Sequence, residues 1–113
     1  MAIEVDGKIL ETTDTGFLVN QDEWNERVAA VLAEQEGIEL SDRHWDVINY
    51  LRDCYFSHGS ELPNNRQILK GMQEVWSDQR VDSKTLFGLF PGGPSKQAGK
   101  IAGLPESMRK GGY

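Results

Sequence analysis

The sequence predicts a mainly α-helical (α+β) domain that begins with a short β-hairpin and ends in a C-terminal arm. Apolar residues recur at helical spacing in three separate stretches of the 113-residue chain. The pair Asp6-Gly7 lies between β-prone residues, and it indicates a tight hairpin because both turn positions need positive φ. Proline and glycine interrupt the last quarter. We therefore assign residues 1–19 to the hairpin region, 20–90 to the helical body and 91–113 to the arm of a single domain.

Four helices are predicted in the body, each from a start signal and an apolar face. The first begins at Asn20, which forms a capping-box pattern with Glu23. Its apolar face consists of Trp24, Val28, Val31 and Leu32. The second begins at Ser41, and its stripe consists of Trp45, Ile48, Leu51 and Tyr55, widened by Val47 and Cys54. The third follows a Leu-Pro-Asn-Asn turn, and its amphipathic pattern consists of Ile68, Leu69, Met72, Val75 and Trp76. A short fourth helix begins at Ser83 and is stopped by Pro91.

The arm is more patterned than a solvated tail needs to be. A Pro-Gly-Gly-Pro break precedes a fifth predicted helix, which runs from about Ser95 to Ala102 and ends at Gly103. From Phe90 onward the chain carries four cations and one anion, whereas the preceding residues carry a net charge of −9. This asymmetry favours an acidic partner or ligand for the arm and disfavours a phosphate backbone for the body.

Composition excludes several classes of protein. With 38% hydrophobic and 27% charged residues, the chain has a globular rather than a disordered balance. No apolar run has the length of a membrane span, and the start at Met1 does not resemble a signal peptide. A single cysteine cannot form an internal disulfide. A cytoplasmic protein without membrane contact is expected.

Four stretches carry a resemblance to one known family: EVDGK at 4–8, HWDVINYLRD at 44–53, the segment 66–70, and FPGGPSKQAGKIAGLP at 90–105. The chain resembles the DsrC/TusE family of small sulfur-relay proteins over nearly its whole length. It departs by an apparent extra residue in the loop 57–62 and about two extra residues at the end. The resemblance implies an orthogonal helical bundle with a helix-turn-helix-like core. It also implies a protein partner of the sulfur-relay type, as in tRNA 2-thiouridine formation, or of the sulfite reductase type.

In that family the arm carries the reactive cysteines. By resemblance, one of them corresponds to Gly99; the other corresponds to Lys110 when aligned from the Gly-Leu-Pro element, or to Gly112 when counted from the end. Because none of these residues is a cysteine, the resemblance implies a non-catalytic, partner-binding or regulatory member without sulfurtransferase activity. The arm residues expected to bind the partner are Phe90, Lys96, Gln97 and Lys100.

Two alternatives stay open. The first is a DNA-binding transcriptional regulator, because the start of the third helix carries the residue types that contact base edges: Asn64, Asn65, Arg66, Gln67 and Lys70. The second is a sulfur carrier that uses Cys54, the single thiol, although a free cysteine on an apolar stripe typically behaves as a small hydrophobe.

Neither a metal nor a cofactor is expected. The two histidines, His44 and His58, lie far apart and have no cysteine cluster beside them. His44 occupies the third position after the Ser41 cap, where the sequence predicts a solvated side chain.

Overall fold

The computed structural model of the chain describes residues 2–57 and 62–105; His58, Lys110 and Gly112 lie outside these ranges. Strands β1 (Ala2–Val5) and β2 (Lys8–Glu11) form an antiparallel hairpin. Asp6 and Gly7 have φ values of 52° and 81°, which confirms the predicted two-residue turn. The helices are α1 (Glu26–Gln35), α2 (Asp42–Ser57), α3 (Asn65–Val75), α4 (Ser83–Leu89) and α5 (Pro94–Ile101).

The first α-helix begins later than predicted. Asn20 does accept a hydrogen bond from the Asp22 N–H, at 3.0 Å, but the turn it caps is a single 3₁₀ turn, Gln21–Glu23. The chain leaves the helical region at Trp24, which has a ψ of 140°. Asn25 then caps α1 by accepting from the Val28 N–H at 2.9 Å. The predicted cap, Asn20, therefore lies five residues before the observed cap of α1, Asn25, because the backbone leaves the helical region at Trp24.

The arm helix α5 completes the hydrophobic core. It packs against all four preceding helices, with its largest contacts to α1 and α2. Two residues of α5, Ala98 and Ile101, and two residues that follow it, Ala102 and Leu104, are fully buried. Each Å² of apolar surface that is buried contributes about 25 cal/mol to the free energy of folding. The described part of the arm is therefore a structural element of the domain. Within residues 2–57 and 62–105, no helix combines the length and the apolar character that crossing a membrane requires.

His44 is buried, whereas the sequence predicted a solvated side chain. Its Nδ1 accepts from the Ser41 N–H at 3.0 Å, and its Nε2 lies 2.9 Å from the carbonyl oxygen of Leu89. Because a backbone N–H can only donate, Nδ1 carries no proton and Nε2–H donates to Leu89. The ring also meets Phe90 edge-on, with centroids 5.1 Å apart. His44 thus ties the start of α2 to the end of α4 in one tautomer.

Candidate functional site

The candidate site is the seat of the arm, meaning the body residues that hold the segment 91–105. At its N-terminal end, Asn65 accepts a hydrogen bond from the Ser95 N–H at 2.8 Å. The Ser95 hydroxyl donates to the carbonyl of Pro63 at 2.7 Å. Gly93, which precedes α5, has a φ of +107° and gives no side-chain cap, so Asn65 satisfies one of the free N–H groups of the helix. The start of α5 is therefore fixed to the start of α3.

Glu36 holds the middle of the arm. Its carboxylate accepts from Gln97 Nε2 at 3.0 Å and lies 3.4 Å from Lys100 Nζ. The Gln97 Oε1 in turn accepts from the Gly92 N–H at 2.8 Å. The Lys100 side chain is only 15% exposed, and its ammonium group lies 5.4 Å from the ring centre of Phe17. Glu36 thus neutralises a nearly buried cation and links α1 to α5.

Two side chains hold the C-terminal end of α5. Trp24 Nε1–H donates to the carbonyl of Ile101 at 2.9 Å, and Arg52 Nη1–H donates to the carbonyl of Ala102 at 2.6 Å. The guanidinium of Arg52 lies 3.8 Å from the centre of the Trp24 ring. Burial lowers the pKa of Arg52 from its ordinary value, yet an arginine remains cationic at neutral pH. Its charge complements the negative end of the helix dipole.

The residues predicted to bind a partner through the arm occupy different environments. Phe90 is completely buried and Gln97 nearly so, while Lys100 is paired with Glu36. Lys96 alone among the four is exposed. Gln97 and Lys100 therefore hold the arm on the body, whereas Phe90 is part of the core, and the role of all four residues in partner binding stays a prediction. The sequence pattern did not reveal this, because Gln97 and Lys100 are polar residues that face inward.

Gly99 lies within α5, where it is buried. A Cβ added there would meet no heavy atom within 4 Å, and the backbone is outside the left-handed region. This position therefore has room for the Cβ of a small side chain. The other two positions that the resemblance assigned to cysteines, Lys110 and Gly112, lie outside the described residues.

Three of the five residues of the DNA-binding alternative form hydrogen bonds within the protein. Asn64 and Gln67 form a reciprocal capping box at the start of α3, with bonds of 2.8 and 2.9 Å. Asn65 holds Ser95, so α5 lies against the N-terminal end of α3. Arg66 and Lys70 are exposed. Because a recognition helix reads bases mainly with its N-terminal residues, this arrangement does not support the DNA-binding interpretation.

Cys54 lies on α2 and is half-buried. It lines a groove of about 410 Å³ between α2 and α3, together with Tyr50, Gly71 and six further residues. Burial, followed by the proximity of the Cys54 thiol, raises the pKa of Tyr50 to about 12. A Cβ at Gly71 would lie 2.5 Å from the Tyr50 ring, so this glycine lets α2 and α3 approach each other. Among the described residues, no group of three or more His, Cys, Asp or Glu side chains could hold a metal ion.

Comparison with known proteins connects this architecture to one family. Residues 4–109 match the family model described as DsrC like protein. The chain is 40% identical over 107 residues to the sulfurtransferase TusE of Yersinia pestis, which covers 95% of this chain and 97% of that protein. It is similar to the solution structure of Allochromatium vinosum DsrC, with a TM-score of 0.86, 40% identity and coverage of 96% and 98% of the two chains.

A second solved structure is similar to the same extent. The oxidized gamma-subunit of the dissimilatory sulfite reductase (DsrC) from Archaeoglobus fulgidus has a TM-score of 0.88 and 36% identity. The match covers 96% of this chain and 98% of that one. These similarities extend over the hairpin, the body and the described arm, and they confirm the mainly helical fold predicted from the sequence.

Proposed function

The chain belongs to the DsrC-like protein family, and from this membership we propose that it is a partner-binding or regulatory protein of sulfur metabolism without a reactive thiol in its arm. The observation that carries the proposal is the single cysteine of the sequence, Cys54, which lies on α2 and not in the arm. Sulfur transfer requires an accessible thiolate. The positions aligned with the family's arm cysteines hold Gly99 and either Lys110 or Gly112, none of which supplies one.

The way in which the arm is held supports a binding function. Residues of the body form hydrogen bonds with each section of α5: Asn65 at the start, Glu36 in the middle, and Trp24 with Arg52 at the end. None of these contacts involves a thiol. The segment 91–105 is therefore held without a cysteine, and a partner that recognises the shape of this segment can still bind.

The partner we propose follows from the relatives. One is named a sulfurtransferase and another a subunit of dissimilatory sulfite reductase, so the partner is an enzyme or carrier of one of these two kinds. The proposal assigns no sulfur chemistry to this chain. The bound protein therefore acts by occupying or modulating the partner's surface.

A second candidate function is a sulfur carrier that uses Cys54. The observation in its favour is the groove between α2 and α3, which leaves this thiol half-exposed. This candidate differs from the first in requiring Cys54 itself.

Two measurements test the proposal. The first is the intact mass of the wild-type protein and of Cys54→Ser after incubation with a persulfide donor. We expect no stable gain of sulfur by either protein; a gain that disappears in Cys54→Ser would replace the proposal with the carrier function.

The second measurement is binding to purified catalytic subunits of dissimilatory sulfite reductase and to a sulfur-relay complex that serves a TusE protein. We expect binding to one of them, with the same affinity for wild type and Cys54→Ser. Absence of binding to both would contradict the proposal.

A further inference from the structure

The N-terminal hairpin turns one face to the core and the other to solvent. Its inward residues, which are buried, are Ile3, Val5 and Leu10. Because side chains alternate along a strand, the residues between these point outward. A third segment extends the sheet, since the Val19 N–H donates to the Glu11 carbonyl at 3.0 Å beside an isolated antiparallel bridge. We call the outward residues the hairpin face; they are Ala2, Glu4, Ile9, Glu11 and Val19, and all five are exposed.

Two aliphatic side chains lie on the hairpin face, where polar residues are expected. Ile9 is 65% exposed, more than any other large apolar residue that the structure describes, and Val19 is 49% exposed. Val19 lies opposite Glu11, which follows Ile9 by two positions, so the two aliphatic side chains are diagonal neighbours about 7–8 Å apart. Antiparallel sheets usually place polar residues on their solvated face. Single exposed apolar residues are common, whereas adjoining ones are typical of interaction sites.

Each of these two side chains has a carboxylate as its cross-strand neighbour. Glu4 is the partner of Ile9, and Glu11 lies opposite Val19. Neither carboxylate forms an ion pair with a residue that the structure describes, whereas the nearby carboxylate of Asp6 is paired with an arginine 3.0 Å away. The five residues of the hairpin face include no cation. The hairpin face therefore combines an apolar pair with two unpaired negative charges.

These charges indicate what kind of molecule covers the hairpin face. A nucleic acid or an anionic membrane would be repelled by the two carboxylates. A second copy of this chain, packed face to face, would place its own Glu4 and Glu11 against the same residues, and like charges across an interface are unfavourable. A protein surface with lysine or arginine beside apolar residues is complementary in both charge and polarity.

The hairpin face also lies near the arm. Phe17, two residues before Val19, has its ring centre 5.4 Å from the ammonium group of Lys100 in α5. The same lysine side chain comes within 3.7 Å of the position that a Cβ at Gly16 would take. A partner that covers the hairpin face is therefore close to the arm helix.

We propose that the hairpin face binds a partner protein whose contact surface is apolar and bordered by lysine or arginine. The inference rests on the proposed function and adds a surface on the body to it. Ile9 and Val19 supply the apolar contact. Glu4 and Glu11 supply the charges that the basic residues of the partner meet.

The first test places threonine at exposed aliphatic positions. Val19→Thr and the control Val75→Thr make the same isosteric change, and Val75 lies on α3 with 55% exposure. Ile9→Thr is the third variant, and threonine retains the strand preference of the residue it replaces. Affinity for the sulfite reductase subunits and for the relay complex is measured after circular dichroism has verified folding. We expect Ile9→Thr and Val19→Thr each to weaken binding at least about fivefold and Val75→Thr less than about twofold.

The second test removes the charges of the hairpin face. Glu4→Gln combined with Glu11→Gln is compared with Glu34→Gln combined with Glu39→Gln, which changes the net charge equally at other exposed positions. We expect the first pair of changes to weaken binding about tenfold and to reduce its dependence on salt, because screened charge pairs are lost. Equal effects of the two pairs would overturn the basic character assigned to the partner.

The outcomes separate the two proposals. Binding by wild type that Ile9→Thr and Val19→Thr leave unchanged would overturn this inference and leave the proposed function standing. No binding by wild type to either candidate partner would overturn both. A wild-type dimer in analytical ultracentrifugation that dissociates in Ile9→Thr would also overturn this inference, because a second copy of the chain would then occupy the hairpin face.

Discussion

Trp24 donates its indole N–H to the carbonyl oxygen of Ile101, 77 positions later in the chain, over 2.9 Å. The same ring lies against Gly103, the residue at which the arm helix is terminated with a φ of +74°. One body side chain therefore supplies both a hydrogen-bond donor and a packing surface for the end of α5. Trp24 is also the residue at which the first helical turn ends, so the local break and the long-range contact occur at the same position.

Replacing Gly103 should destabilise the domain. Gly103→Ala would place a Cβ in contact with the Trp24 ring at a backbone conformation that L residues disfavour. We expect a loss of about 2–4 kcal/mol in the free energy of unfolding, measured by urea denaturation. Gly88→Ala is the matched control, because it lies in α4 with no heavy atom within 4 Å of the new Cβ. Gly88→Ala should stabilise the domain by up to about 1 kcal/mol. Similar effects of Gly88→Ala and Gly103→Ala would contradict the clash with the Trp24 ring.

Removing the charge of Glu36 should loosen the arm. Glu36→Gln keeps the size of the side chain but leaves the Lys100 ammonium, which is nearly buried, without its counter-charge. We expect a loss of about 1–2 kcal/mol in stability and faster amide hydrogen exchange in α5. The control Glu34→Gln changes an exposed carboxylate in the last turn of α1, two residues before Glu36. Equal exchange rates of α5 in the two variants would show that Glu36 does not hold the arm.

Elements specified by neighbouring residues were predictable from the sequence. The turn at Asp6-Gly7 depends on two adjacent residues, and the cap of α3 depends on Asn64 and Gln67 three positions apart. The end of α5 at Gly103 follows from the freedom of glycine to adopt positive φ. In each case the physical cause lies within one helical turn or one hairpin, so the local sequence contains it.

Features that depend on distant partners were not predictable in this way. His44 is buried because its Nε2–H meets Leu89, 45 positions away. The inward orientation of Gln97 and Lys100 depends on Glu36, more than 60 positions earlier. An amphipathic pattern marks apolar faces, but it contains no signal that a lysine will be buried against one particular carboxylate. The family resemblance located the arm, whereas its attachment required the structure.

The stability of the protein should fall at high pH through Tyr50. Burial and then the Cys54 thiol raise the pKa of Tyr50 from 10.0 to about 12 in the folded state. The folded state therefore binds this proton more tightly, so its stabilising contribution is complete below pH 10 and is lost as the pH rises toward 12. Tyrosinate absorbance is measured against pH for wild type and for Tyr50→Phe. The difference between the two curves is the titration of Tyr50. Cys54→Ser should lower the Tyr50 pKa only in part; a Tyr50 transition at its ordinary value in wild type would refute the assignment.

Returning a thiol to the arm should give the protein the sulfur chemistry that we propose it lacks. In a Cys54→Ser background, Gly99→Cys should fold normally, because the added Cβ meets nothing within 4 Å in α5. The variants Lys110→Cys and Gly112→Cys place a thiol at the two alternative positions of the second family cysteine. We expect at least one of these two tail variants to gain one sulfur atom from a persulfide donor, as measured by intact mass, while the Cys54→Ser parent gains none. If both tail variants stay unmodified and still bind the partner, then features other than the missing cysteines prevent sulfur transfer.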